Sequence, residues 1–202
     1  MEFVVKPILD QMAALYRMPR DRKRFEHYLF MLQGNDKDNL LLPISGYNPM
    51  GKEQVLAKLE ALQSLRTEAL IEDVLKKINP QIANQGEQKI EVVINLADDA
   101  GGAWSNRYTV DHNSKFDLAP MIRRNFCTPY FWTSERYSKA QIIQIAQAYV
   151  YRSIFWLTNQ SPQSLKDFLA QEVFVAKASR EEALDLSPID LETTKAFYRK
   201  HQ

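Results

Sequence analysis

Four residues stand out by chemical type. Asp98 and Asp99 head the turn Asp98-Asp99-Ala100-Gly101-Gly102, and Asp111 precedes His112 a short way on. Carboxylates with an imidazole are the oxygen and nitrogen donors of a divalent-metal site, and the same groups can activate water directly. Asp98, Asp99, Asp111 and His112 therefore define one functional expectation, a hydrolase with or without a bound divalent metal. Their spacing weighs against a shared centre. If a strand separates the two pairs, they lie ~20 Å apart at about 3.3 Å per residue. A solvated acidic turn explains Asp98-Asp99 with fewer assumptions.

A second constellation is aromatic and basic. Between Trp104 and Trp156 lie 12 of the 22 aromatic residues, together with seven Lys or Arg (Arg107, Lys115, Arg123, Arg124, Arg136, Lys139, Arg152) against Asp111, Asp117 and Glu135. Aromatic faces beside guanidinium groups hold planar or anionic ligands by stacking and charge-assisted hydrogen bonds. The leading expectation is accordingly a non-catalytic binding or interaction protein. Trp104, Asn106, Arg107 and Tyr108 line its site, Arg123 and Arg124 stand near the mouth, and the partner is an anionic small molecule or peptide. A third expectation is a structural subunit whose aromatic surface is a homo-oligomer interface. Tyr149, Phe155 and Trp156 also fit one side of a helix, where aromatics serve a core.

Composition narrows the classes. Lys plus Arg number 26 and Asp plus Glu 25, so no overall field draws the chain to nucleic acid or to acidic lipid. The single cysteine, Cys127, cannot form an internal disulfide, and its residue type favours the core over a nucleophilic role. The motifs HExxH, GxSxG, GxxxxGK[ST] and GxGxxG are absent, and no cofactor is expected. The opening Met1-Glu2-Phe3-Val4-Val5-Lys6-Pro7 does not read as a signal peptide, and no apolar run is long enough to span a bilayer. The expected location is the cytoplasm.

These residues need elements to hold them. With 45% hydrophobic and 25% charged residues, 202 positions suit one compact domain. Helical spacing predicts helices over residues 1–80, broken at Pro19 and bent near Ser64, with Asn48-Pro49 opening and Asn79-Pro80 closing the longest. The basic run Arg20, Arg22, Lys23, Arg24 reads as a solvated helix face. The segment 40–49 reads as an extended, partly buried connection.

Ile90, Val92, Ile94 and Leu96 alternate with Glu91 and Asn95, Val93 excepted, and Trp104, Asn106, Tyr108 and Val110 alternate with Ser105, Arg107 and Thr109, which predicts an antiparallel hairpin at about 89–110. Ser138-Lys139-Ala140-Gln141 is a capping box opening the helices of about 134–200, with further starts at Ser161-Pro162 and Ser187-Pro188. The expected class is α+β, mainly helical with one small antiparallel hairpin mid-chain and no parallel sheet.

Overall fold

Val92, Val93, Ile94, Leu96 and Ala97 are all buried. With Asn95, buried among them, they form a stretch covered on both faces, as the strands of parallel sheets are. The computed structural model describes residues 1–34, 40–100, 105–179 and 187–200, and its strands pair in parallel. Strand β1 (Glu2–Val5) pairs in parallel with β2 (Lys89–Val92), and β2 with β4 (Phe126–Cys127). Strand β3 (Asn95–Ala97) pairs in parallel with β5 (Tyr130–Trp132). Backbone bonds from Val93 N to Cys127 O and from Asn95 N to Pro129 O carry the ladder across both gaps. In effect β2–β3 and β4–β5 are two long kinked strands lying side by side.

The expected antiparallel hairpin at 89–110 is thereby overturned. Its first arm is real but pairs in parallel with the distant segments 2–5 and 126–132. Its second arm is not a strand: Arg107–Phe116 is helix α5, capped by Asn106, whose side chain accepts from Thr109 N at 3.0 Å. The alternation read there coincides with the N-cap and first turn of a helix.

The chain is mostly helical. Helices α1 (Leu9–Arg17) and α2 (Arg22–Gln33) flank the break at Pro19, and α1 packs on α3 (Glu53–Ser64). Helix α3 begins after Lys52, later than the expected start at Asn48-Pro49. It is separated from α4 (Thr67–Ile82) by Arg66 in the left-handed conformation, φ 57°, which supplies the bend near Ser64. Helix α4 runs through Asn79-Pro80 instead of stopping there. A short α6 (Ala119–Ile122) leads to β4. Helix α7 (Lys139–Thr158) packs on α4, on β4 and on α8 (Leu165–Ser179), and α9 (Pro188–Lys200) follows. Among the described residues no helix is long and apolar enough to cross a membrane.

The irregular segment 40–50 is what brings the N-terminal helices to the sheet. Ile44 and Tyr47 are fully buried, and the Tyr47 hydroxyl donates to Ile94 O at 3.0 Å. The buried amide of Asn95 accepts from Gly46 N and donates to Pro43 O. Gly46 has no room for a side chain: a Cβ would stand 2.8 Å from both Asn95 Oδ1 and Tyr130 Cε1. This close approach sets Asn48 beside the end of β3.

Candidate functional site

Parallel strands end together, and ligands of open α/β sheets gather at those carboxyl ends. Here β3 runs into Asp98 and Asp99, and β5 into Thr133, Ser134 and Glu135, with Thr133 N bonded to Ala97 O at 3.1 Å. The two polar tips interlock. Asp98, 3% exposed, accepts from Asn48 Nδ2 (3.1 Å), Gln54 Nε2 (3.2 Å) and Thr133 Oγ1 (3.1 Å). Asp99 accepts from Ser134 N (3.0 Å), Ser134 Oγ (2.7 Å) and Arg107 Nη1 (2.9 Å). The Thr133 oxygen also lies 3.1 Å from Asp99 Oδ1, so its single hydrogen serves one carboxylate at a time.

Arg107 is the first residue of α5, where a positive charge opposes the helix dipole. Its partners compensate. The guanidinium bonds Asp99 and Glu135 and lies 4.8 Å from the Trp132 ring. Burial lowers its pKa, but Glu135 and Asp99 outweigh burial and hold the charge more firmly than usual. Asp99 mirrors this: burial raises its carboxyl pKa, and the bonds from Ser134 and Thr133 with the charge of Arg107 carry it below the ordinary aspartate value. Glu135 also accepts from the Tyr137 hydroxyl (2.9 Å), and its carbonyl accepts from Lys58 Nζ. Burial pushes the Lys58 ammonium pKa down, against the opposing pull of Glu135.

Beside this network opens a cleft of about 390 Å³. Its aromatic walls are Tyr108, Tyr130, Trp132 and Tyr149, and its charged lining is Arg107, Glu135 and the ion pair Lys115–Asp111 (2.8 Å). A second hollow of about 270 Å³ shares Lys115, Glu135, Ile145 and Tyr149 and continues along α7 past Tyr137. The Tyr149 hydroxyl and Ser114 Oγ, 2.9 Å apart, pin α7 to α5 beneath it.

The residues singled out from the sequence are distributed unevenly. Arg107 and Tyr108 both line the cleft, Tyr108 being 88% exposed. Asn106 is spent on capping α5. Trp104, with Gly101 and Gly102, lies outside the described residues. Arg123 and Arg124 follow α6 as exposed side chains, away from the lining of the cleft, and Arg124 Nη1 donates to Pro120 O.

Asp98 and Asp99 do come together, but with protein donors filling their oxygens. Asp111 is a cleft residue, whereas His112 is exposed, 3.3 Å from Asn113 Oδ1, with its ring tilted 52° to that of Phe116 at 5.5 Å. Among the described residues no three His, Cys, Asp or Glu side chains group to hold a metal ion. Cys127 is 2% exposed, and burial pushes its thiol pKa up to about 12, which suits packing and not nucleophilic attack.

Thr133, Ser134, Glu135, Lys58 and Tyr137 were not singled out from the sequence. The available signal was that both apolar runs, 92–97 and 126–132, end in polar residues, as paired parallel strands would. A comparison with protein-family models, with curated proteins and with solved structures finds no match to this chain.

Proposed function

We propose that the protein is a non-catalytic binding protein whose cleft between α5, β5 and α7 takes a small planar molecule or aromatic peptide side chain bearing an anionic group. The observation that carries this reading is Tyr108, 88% exposed at the rim of a cleft otherwise walled by Tyr130, Trp132 and Tyr149. An aromatic ring left in water beside three others is arranged for stacking a fourth body between them. Arg107 is already neutralised by two carboxylates, so the anion falls to Lys115. Its ammonium has three donors, and its pairing with Asp111 is a partly exposed i,i+4 contact that a ligand can outcompete. The hydrolase reading has less support, because the exposed His112 contacts Asn113 and Phe116, while the oxygens of Asp98 and Asp99 are taken by protein donors.

Ligand-observed NMR with benzoate, indole-3-acetate and N-acetyltryptophan tests the reading. Transfer to the aromatic carboxylates is expected, lost in Lys115→Gln and in Tyr108→Ala at unchanged melting temperature. No transfer at millimolar ligand would remove the reading. A Tyr108→Ala variant that instead changes the sedimentation coefficient would favour the homo-oligomer interface.

A further inference from the structure

Arg24 belongs to a run that reads in sequence as a solvated face, yet it is 3% exposed. Its Nη2 donates to Gly51 O at 2.7 Å and its guanidinium lies 4.5 Å from the Tyr16 ring. Its buried Nε has no hydrogen-bond partner, and among the described residues no carboxylate pairs with it. A desolvated cation without a counter-ion is costly, and such a group calls for an anion. Among the described residues no nearby group supplies one, and Glu53, on the same cavity, makes no ion pair with Arg24. The Tyr16 hydroxyl is committed to Asn48 O, and the Asp21 carboxylate caps α2 through Lys23 N and Arg24 N.

Arg24 opens onto a cavity of about 550 Å³, whose rim carries, among the described residues, the cations Arg20 and Lys52 and one acid, Glu53. Helix α3 starts at the same cavity with no side-chain cap; Val55 N bonds Lys52 O, and Glu53 in the first turn meets part of the positive end of the dipole. Buried guanidinium, flanking Arg and Lys, and an uncapped helix N-terminus are the recognised chemistry of phosphate binding. Met18 and Leu56 add an apolar wall to a space larger than a bare phosphate fills.

We infer that this cavity between the α1–α2 junction and the start of α3 is a phosphate-binding site, held by Arg24, Arg20 and Lys52, for the phosphoryl group of a small phosphomonoester. The site is separate from the aromatic cleft and does not depend on it.

Thermal unfolding of the whole chain with inorganic phosphate, with phenyl phosphate and with sodium chloride at matched ionic strength is the test, since a ligand bound to the native state alone raises Tm. Both phosphates should raise Tm above the chloride control, phenyl phosphate at the lower concentration. The double variant Arg20→Gln/Lys52→Gln removes only exposed side chains and should keep the basal Tm while needing about tenfold more phosphate for the same rise. Arg24→Met should abolish the response, and if it does not fold the double variant still decides. A rise with both phosphates at equal concentration keeps the phosphate site and assigns it to the free anion. A response equal to that of chloride, or one retained in the double variant, overturns the inference.

Discussion

Asp99 shows what a single side chain at the strand tips is worth. Its native carboxyl titrates below the ordinary aspartate value, where burial is overcome by Ser134, Thr133 and Arg107. The unfolded chain therefore takes up this proton first. Stability from Asp99 is present in full above about pH 5 and declines as the pH falls through the unfolded and then the lower native pKa. Asp99→Asn is expected to cost about 1–2 kcal/mol at pH 7, because it exchanges a charged acceptor for a neutral one beside Arg107. Its acid limb should also be shallower than that of the wild type. Glu172 is lowered too, with burial outweighed by the bonds and charge of Arg152, so part of the acid sensitivity will remain. Urea midpoints at half-unit steps from pH 7 to pH 3 give both curves. If the two run parallel throughout, Asp99 does not carry the role assigned here.

At the scale of elements, local signals were legible and distant ones were not. The Ser138 capping box can be read from four residues, and it forms as read: Ser138 Oγ accepts from Gln141 N while Gln141 Oε1 accepts from Ser138 N. Ser138→Ala should lower stability by about 1 kcal/mol, measured from the urea midpoint, and Ser138→Asp should restore most of it. Equal stability of Ser138→Ala and wild type would mean that α7 is held by its packing alone. The hairpin misreading has the opposite origin. Alternation over Trp104–Val110 is a pattern of residue types, whereas Asn106 as an N-cap is a matter of one side chain reaching Thr109 N. Parallel pairing hides further still. Phe3 lies opposite Ile90, and Leu96 opposite Phe131. No window of sequence contains both partners, so Asp99 and Ser134 could not be brought together by inspection. Arg107 was reachable because its aromatic and basic neighbours are close in the chain.

The whole molecule depends on an equally long-range closure, in which the first strand completes a sheet whose other strands lie far down the chain. Strand β1 packs on β2 and on α4, with Phe3 at 1% exposure in the core. Its outer edge would leave backbone groups unpaired, a liability for any edge strand. Asn79 covers it at Phe3: Oδ1 accepts from Phe3 N at 2.9 Å and Nδ2 donates to Phe3 O at 2.8 Å, so at this position one amide on α4 stands in for a neighbouring strand. The residue expected to end a helix thus ties helix, sheet and chain terminus together. Asn79→Ala strips both partners from partly buried backbone groups and should cost about 2 kcal/mol. Asn79→Asp separates the two bonds, since it can still accept from Phe3 N but sets an anionic oxygen against Phe3 O. It should fare no better than alanine. An unchanged denaturant m-value with a lower midpoint would show β1 still docked, and a smaller m-value would show it released before the rest unfolds. A loss below about 0.5 kcal/mol in Asn79→Ala, or full rescue by aspartate, would mean that the paired amide bonds do not hold the strand in place.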